Sequence, residues 1–449
     1  MREGSLEAPV RHRLDWRDAD FTDSAKLEAE TRRVFDICHG CRRCFNLCDS
    51  FPRLFDAIDA TESGELDEVS SAVFGAAVDA CTLCDMCFMT KCPYVPPHRF
   101  NLDFPSLMLR HRAAEFSRGQ GNWVARQLGR TDRNGKLGAW LAPLANWAGA
   151  VGNRLTRPIL ERLAGIHGAA ALPRFHRRTL LARARARAAS PKIAAPSRGR
   201  KAAIFATCYG NYNDPAIGEA ALKVLALNGV ETEVVYPGCC GMPQYEQGDL
   251  AAVAAQAGRI ARTFAPYLDR GYDVMALVPS CALMLKFEFT RVAPGDAAVK
   301  RLAESTFDVA EYVVDLARRQ GLAGGLKPIQ GGISLHIACH ARAQNMGAKA
   351  LDMLRLIPDT EIVPIERCSG HGGSWGVLRE NFEVALKVGQ PVAKACAEQA
   401  KAYVASECPL AGTHIVQGVQ RLGQGRNQGR NQGPERAYHP IELLAMAYG

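Results

Sequence analysis

The chain has 449 residues, of which 47% are hydrophobic, and it carries a formal net charge of +9 at pH 7. This length and apolar content suffice for two or three packed domains and exclude an intrinsically disordered protein. No run of about 18 apolar residues occurs, which argues against a transmembrane helix.

The positive charge is concentrated in one segment. Ten Lys and Arg residues and no acid lie between Pro173 and Lys201, and the rest of the chain is close to neutral. We therefore interpret the segment as a solvated linker and expect no nucleic-acid partner. The N-terminus is charged and has no apolar signal core, which predicts a cytoplasmic protein.

The predicted order of domains follows from changes in pattern along the chain. We expect a multidomain α plus α/β protein, in which a helical N-terminal domain precedes a duplicated α/β domain. The predicted segments are a polar leader at 1–30, a helical cysteine-rich domain at 31–115, a helical segment with the basic linker at 116–200, and α/β units at 201–325 and 326–449.

Two cysteine runs dominate the N-terminal domain, Cys38, Cys41, Cys44, Cys48 and then Cys81, Cys84, Cys87, Cys92. Three cysteines two residues apart can bind three corners of a cubane, while the fourth ligand comes from the other run in two-cluster ferredoxins. The spacing predicts two [4Fe-4S] clusters. As a hypothesis we assign Cys38, Cys41, Cys44 and Cys92 to cluster 1, and Cys81, Cys84, Cys87 and Cys48 to cluster 2.

Zinc and disulfides are the alternatives for these cysteines. Zinc sites usually join two Cys-x2-Cys pairs across a longer gap, and disulfides need an oxidising compartment, so both fit less well. The runs also depart from the bacterial ferredoxin pattern. Four residues, 88–91, precede Cys92 where that pattern has three, and Asp49 follows Cys48 in place of proline.

An apolar stripe marks the segment from about 110 to 168. Trp140, Leu144, Trp147 and Val151 recur at helical spacing and place two indoles on one face. We expect this face to pack on the rest of the protein. The alternative is peripheral contact with the inner face of a membrane, which an amphipathic helix beside a basic segment would suit.

Strands and helices alternate after the linker, and their order recurs. Corresponding cysteines, or the serine that replaces one, are offset by 127–131 residues between the two halves, which predicts a duplicated unit. Each cysteine follows a predicted strand, at the edge where open α/β sheets bind ligands. The predicted metal or cluster ligands are Cys208, Cys239, Cys240 and Cys281 in the first unit, and Cys339, Cys368 and Cys408 in a degenerate second unit.

Other residues near these cysteines complete the set of candidates. His336, His340 and His371 are spare ligands or hydrogen-bonded core residues, and Cys396 lies inside a predicted helix as a structural thiol. The low-complexity tail at 421–436 is predicted to be a disordered loop before a closing helix.

Together these motifs resemble a family of iron–sulfur oxidoreductases with two ferredoxin-like runs and two Cys-Cys-Gly units. The family includes iron–sulfur subunits of heterodisulfide reductase, of anaerobic glycerol-3-phosphate dehydrogenase and of glycolate oxidase. The resemblance spans about residues 30–415. It implies an electron-transfer subunit that takes electrons from a flavoprotein dehydrogenase and passes them to quinone or another acceptor, with a further cluster at the Cys-Cys-Gly units.

The alternative within this family is a catalytic subunit that reduces a disulfide at a Cys-Cys-Gly-bound cluster, with Cys239 and Cys240 as catalytic candidates. In that branch complete units end in Cys-x-x-Cys. Here Met284 and Ala411 stand at the last positions, and Ser369 replaces the paired cysteine of the second unit. These losses favour electron transfer, and the lack of a Gly-x-Gly-x-x-Gly turn after a strand places hydride chemistry on a partner.

Overall fold

The computed structural model describes residues 8–187, 195–424 and 434–449. It combines a helical N-terminal region, a second group of short helices and two parallel β-sheets flanked by helices. Part of the basic linker and most of the low-complexity tail lie outside the described residues. None of the described helices is both long enough and apolar enough to span a bilayer.

The N-terminal region is built from helices that alternate with loops carrying the cysteines. Its core is aromatic, since Phe35 packs edge-on against Phe74 and stacks on Phe104. Asp23 caps the longest helix by accepting a hydrogen bond from the Lys26 backbone N–H at 2.8 Å. The helices are α1 (Ala19–Thr22), α2 (Ser24–Cys41), α3 (Ser50–Asp59), α4 (Phe74–Ala80) and α5 (Phe104–Ser117).

The middle of the chain forms five short helices, and the second and fifth of them contact the first sheet domain. They are α6 (Trp123–Leu128), α7 (Thr131–Trp140), α8 (Ala142–Gly149), α9 (Arg157–Ala164) and α10 (Leu180–Arg185).

The first sheet has the order β2-β1-β3-β4, with every pair parallel. The two central strands are largely apolar and buried because helices cover both faces, whereas the edge strand β2 is partly exposed. In chain order the elements are β1 (Lys201–Phe205), α11 (Cys208–Tyr212), α12 (Pro215–Leu227), β2 (Glu231–Val235), α13 (Met242–Glu246), α14 (Leu250–Asp269), β3 (Asp273–Ala276), α15 (Pro279–Leu283), α16 (Phe289–Val292), α17 (Ala297–Glu304), β4 (Thr306–Asp308) and α18 (Val309–Gln320).

The second sheet has the corresponding order β6-β5-β7-β8, again with every pair parallel. Its elements are β5 (Ile333–His336), α19 (Cys339–Arg342), α20 (Lys349–Leu354), β6 (Ile362–Ile365), α21 (Phe382–Gln399), β7 (Tyr403–Ser406), α22 (Pro409–Gln424), β8 (Ala437–Tyr438) and α23 (Pro440–Ala447). The edge strands β4 and β8 have only three and two residues, too few to show a pattern in the sequence.

The two sheet domains share one packed interface. Helix α15 contacts α19, α18 contacts α20, and the C-terminal helix α23 packs against α12. Because α15 carries Cys281 and α19 begins at Cys339, the first of these contacts brings cysteine loops of both domains together.

A buried ionic network attaches the segment before α1 to both the cysteine-rich region and the first sheet domain. The Arg11 guanidinium makes two hydrogen bonds of 2.8 Å to Asp85, and also contacts Asp103 and Glu288. Arg291 binds the other oxygen of Glu288 at 2.6 Å. Burial raises the pKa of Asp85 to about 6, although Arg11 opposes that shift.

The apolar stripe at residues 140–151 does not pack on the protein, so our expectation of a buried face was wrong. Trp140, Leu144, Trp147 and Val151 are 71%, 57%, 51% and 56% exposed. The opposite side of these helices carries the contacts, made by small residues. Gly135 lies against the Tyr212 ring and Gly138 against the Phe175 ring, so the helices sit too close for large side chains to fit between them.

Replacing Gly135 with alanine is expected to lower the free energy of unfolding by about 1–3 kcal/mol, because an added Cβ would overlap the Tyr212 ring. Urea unfolding measures the change. Gly75→Ala is the matched control, since Gly75 also lies in a helix and a Cβ there meets nothing within 4 Å. Equal stability of the two variants would contradict the close packing of α7.

Candidate iron–sulfur sites

Cys38, Cys41, Cys44 and Cys92 lie together around one pocket. The other side chains that line it are Ile37, Arg43, Phe51, Phe55, Pro93, Tyr94 and Leu102. Burial raises the pKa of the Cys38 thiol well above its ordinary value, and the neighbouring Cys92, Cys44 and Cys41 add to the shift. Helix α2 ends here because Arg42 adopts a left-handed conformation and its N–H binds the Cys38 carbonyl at 2.8 Å.

The remaining four cysteines of the two runs form a second group. Burial raises the pKa of Cys48, with Cys84 and Cys81 as its interacting neighbours. Burial also raises the pKa of Cys87, and its neighbours include Cys84, Cys81 and Cys48. Leu83 and Asp85 have positive φ on either side of Cys84, a conformation that bends the loop so that three cysteines converge.

The extra residue before Cys92 is accommodated by a π-helical turn. Residues Cys87–Lys91 form this turn, in which the Cys92 N–H donates to the Cys87 carbonyl at 2.8 Å. A π turn contains one residue more than an α turn, so Cys87 and Cys92 can point into different groups despite the four residues between them. The departure from the bacterial spacing therefore has a local structural cause.

Each group has four cysteines, which is the ligand set that a [4Fe-4S] cluster takes. No set of three or more His, Cys, Asp or Glu side chains within the described residues is arranged to hold one metal ion. Cubane ligands bind different irons and stand farther apart than the ligands of one tetrahedral zinc. The apolar lining of the first pocket would keep water away from a cluster, which is one determinant of its potential.

The first sheet domain brings Cys208, Cys239, Cys240 and Cys281 into one chain of interacting thiols, of which all but Cys208 are buried. The neighbouring thiols of Cys208 and Cys240 lower the pKa of Cys239, and the Gly241 N–H donates to its sulfur at 3.4 Å. The pKa values of Cys208 and Cys240 are raised in turn by their thiol neighbours. Gly238 and Gly241 have φ of 128° and 90°, which lets the backbone turn tightly around the two adjacent cysteines.

Helix α7 covers this thiol chain, and no feature of the sequence indicates that it does. Asp132 accepts a hydrogen bond of 3.1 Å from the Cys239 N–H and another from the Tyr236 hydroxyl. The Thr131 hydroxyl lies beside Cys208 and Cys239 and acts to lower the pKa of both. A threonine and an aspartate at a helix start are ordinary capping residues, so the sequence does not distinguish them as parts of a site.

The second sheet domain places Cys339 and Cys368 near Cys84 of the second N-terminal group, and Cys408 near Cys339. Burial raises the pKa of Cys339, and its interacting neighbours are Cys84, Cys368 and Cys408. Cys368 also raises the pKa of Cys84, after the larger effect of burial. Cys408 in turn has Cys281 of the first domain among its neighbours. A continuous series of thiols therefore runs from the second cysteine group through both sheet domains.

His340 joins the three loops that meet at this point. Its Nδ1 hydrogen-bonds the Ser280 hydroxyl at 2.8 Å, and its Nε2 lies 3.4 Å from the Leu83 carbonyl oxygen. Ser280 precedes Cys281, Leu83 precedes Cys84, and His340 itself follows Cys339. The residue thus acts as a hydrogen-bonded support for three cysteine loops.

The other spare candidates behave as core residues. His336 binds the Ser406 hydroxyl at 2.9 Å and the Arg367 carbonyl at 3.1 Å, and burial lowers its pKa to about 4. Burial also lowers the pKa of His371 to about 3, and its ring lies 6.1 Å from that of His414. Cys396 is buried within α21, which confirms the structural interpretation of this thiol.

These features define a class of protein: an oxidoreductase component in which groups of cysteines lie at the carboxyl edges of parallel sheets. Residues 202–286 match the Cys-Cys-Gly (CCG) cysteine-rich domain model. This match and the similarity to subunits of dehydrogenases and reductases support the family of iron–sulfur oxidoreductases that the cysteine motifs resemble.

Relatives from several dehydrogenases and reductases support this assignment. One subunit of the anaerobic glycerol-3-phosphate dehydrogenase of Escherichia coli (strain K12) is 25% identical over 325 residues, which cover 71% of this chain and 76% of the relative. One subunit of the fumarate reductase (CoM/CoB) of Methanothermobacter marburgensis is 27% identical, over 56% of this chain and 47% of that protein. Lactate utilization protein A of Geobacillus kaustophilus is 29% identical, over 39% of this chain and 74% of that protein.

Proposed function

We propose that the protein is the electron-transfer subunit of a dehydrogenase or reductase complex, which relays single electrons between a flavoprotein partner and a quinone or another acceptor. The observation that carries the proposal is that cysteine groups lie close enough to shift one another's pKa. Cys84 of the second N-terminal group lies beside Cys368 and Cys339, and Cys408 lies near Cys281. These neighbours give one route from the second N-terminal group through both sheet domains.

The N-terminal cysteines are proposed to hold two [4Fe-4S] clusters, with Cys38, Cys41, Cys44 and Cys92 around one and Cys48, Cys81, Cys84 and Cys87 around the other. Bound clusters of this type supply reversible one-electron transfer. The placement of Cys92 with the first run and Cys48 with the second supports the exchange of the fourth ligand. The cysteines of the sheet domains are proposed to hold a further centre at the end of the route.

The protein's own residues perform three tasks in this proposal. Apolar side chains around the first pocket exclude water, the His340 imidazole fixes the spacing of three cysteine loops, and Asp132 with Thr131 covers the first-domain thiols.

We also infer that the two sheets are copies of one unit, which their identical strand order supports.

Disulfide reduction at Cys239 and Cys240 is the second candidate function. It is favoured by one observation, the lowered pKa of Cys239, because a thiolate is the reactive form of cysteine. The poor accessibility of Cys239 and Cys240 argues against disulfide reduction there. Both residues are only 2% exposed and α7 lies over them, so a disulfide substrate does not reach the thiols without a displacement of that helix.

Analysis of iron and acid-labile sulfide in anaerobically purified protein tests the main proposal. We expect at least about eight irons per chain, together with an EPR signal after dithionite. Recovery of a flavoprotein in a pulldown from its natural host would support the partner assignment. Zinc without acid-labile sulfide would overturn both candidate functions.

A change at the junction between cysteine groups tests the route itself. Cys368→Ser is expected to keep the iron of the two N-terminal clusters but to slow their reoxidation by a soluble quinone, since Cys368 lies next in the series after Cys84. Stopped-flow absorbance after photoreduction measures the rate. The matched control is Cys396→Ser, a buried thiol outside the series, and equal rates in the two variants would remove the second sheet domain from the route.

A further inference from the structure

One face of the middle helices exposes an unusual amount of apolar surface. Nine of the fifteen exposed large hydrophobic side chains among the described residues lie within residues 137–163, and two of the nine are indoles. The inference rests on Leu137, Trp140, Leu144, Trp147, Leu155 and Leu163, each at least half exposed. We call residues 137–163 the apolar face. Exposed apolar patches of this kind mark interaction surfaces.

The orientation of the apolar face is fixed by contacts on its inner side. The Asn146 side chain pairs with the Phe175 backbone through hydrogen bonds of 2.9 and 2.7 Å. The buried Arg157 guanidinium donates to the Gly168 and Ala170 carbonyls at 2.9 and 2.8 Å. Small and polar groups thus hold these helices, while their large apolar residues point outward, the reverse of an ordinary surface helix.

The charges around the apolar face are almost all positive. Lys136, Arg154 and Arg162 are exposed within or beside it, and Glu161 is the one acid between residues 133 and 163. The segment that packs beneath α7 and α8 adds the exposed Arg174, Arg177 and Arg178 around Phe175. Exposed tryptophans and leucines flanked by Arg and Lys are the composition of helices that lie in a membrane interface.

We propose that the apolar face docks the protein on the surface of an anionic phospholipid bilayer, with the indoles and leucines at the level of the acyl-chain boundary. The occupant is lipid because basic residues are interspersed with the apolar ones, which matches anionic headgroups above acyl chains. The short helices α7, α8 and α9 are suited to lie in the interface, and none of them is long enough to cross it.

The docking proposal also refines the proposed function. Helix α7 begins at Thr131, beside the first-domain thiols, and Trp140 lies nine residues farther along, roughly 14 Å at the rise of an α-helix. Docking would therefore place the end of the thiol series near the lipid, where a quinone dissolves. This refinement rests on the proposed function, whereas membrane binding itself does not depend on any bound cluster.

Flotation of the full-length protein with vesicles tests the proposal. We expect the protein to float with vesicles of phosphatidylcholine and phosphatidylglycerol, and to bind less at high salt or to phosphatidylcholine alone. Two double variants test the apolar side chains, Trp140→Gln/Trp147→Gln and Leu155→Gln/Leu163→Gln. Each should lower the vesicle–water partition coefficient of the protein by about tenfold or more, since it removes two side chains that would be buried in lipid.

The matched control is Val73→Gln/Met446→Gln, which removes two exposed apolar side chains far along the chain from the apolar face and should leave flotation unchanged. The iron content of each variant shows whether it has folded with its clusters. Loss of flotation with normal iron supports the proposal. It is overturned if the wild type does not float, if all variants float equally, or if wild type is a dimer that the Trp140/Trp147 variant converts to a monomer.

Failure of docking and failure of the proposed function give different results. A protein with about eight irons that does not float keeps the electron-transfer proposal and removes the membrane surface. A protein that floats but contains no acid-labile sulfide keeps the membrane surface and removes the electron-transfer proposal.

Discussion

Cys92→Ala is expected to remove the cluster of the first cysteine run and to leave the cluster of the second run intact. The Cys92 thiol lies with Cys38, Cys41 and Cys44, so its loss leaves three ligands for that centre, while Cys48 still completes the other. We expect about four irons to remain from the two N-terminal clusters. Iron analysis and EPR of the reduced variant measure the effect.

Two further variants make the Cys92 result specific. Cys87→Ala should produce the reverse pattern, in which the first cluster survives and the second is lost, because Cys84 and Cys81 of the same run are the strongest interacting neighbours of Cys87, ahead of Cys44 and Cys48. Cys396→Ala should retain all the iron, since burial alone accounts for the raised pKa of that thiol. Loss confined to the second cluster in the Cys92 variant would contradict the exchange of fourth ligands.

Arg11→Ala is expected to lower the free energy of unfolding by about 3–5 kcal/mol. The Arg11 side chain is 15% exposed and is shared by three buried carboxylates, those of Asp85, Asp103 and Glu288. Removing the guanidinium leaves these negative charges buried with only Arg291 between them. Urea unfolding of the iron-loaded protein under anaerobic conditions measures the loss.

The control for Arg11 is Arg13, two residues away. Arg13 pairs with Asp15 at 2.9 Å, but the two side chains are 68% and 55% exposed, so Arg13→Ala should change stability by no more than about 1 kcal/mol. If the two variants unfold alike, the buried network does not hold the N-terminal segment in place.

The alternation of strands and helices was predictable from the sequence because it rests on local periodicity. For example, residues 202–207 form a compact apolar run in the sequence, and the structure has β1 at Lys201–Phe205. The edge strands β4 and β8 could not be predicted, because strands of three and two residues are too short to show an alternation of apolar and polar side chains. The apolar stripe was detected by its spacing, but spacing gives the side of a helix that is apolar and not what that side faces.

The candidate ligands were predictable because cysteine is rare and its spacing is specific, whereas the residues that support them were not. His340 joins loops from three parts of the chain, and Asp132 reaches Cys239 across more than 100 residues. Such partners are defined only by tertiary packing. The same holds for Arg11, whose importance depends on carboxylates far away in sequence.

The position of α7 over the first-domain thiols has a consequence for the behaviour of the protein in air. Its residues Thr131 and Asp132 shield Cys239 and Cys208 from solvent, and Gly135 allows the helix to lie close against Tyr212. Oxidation of a thiolate follows its accessibility, and Cys239 is the thiol whose pKa is lowered. A variant that lifts α7, such as Gly135→Ala, should therefore lose its first-domain thiols to dissolved oxygen sooner than the wild type does.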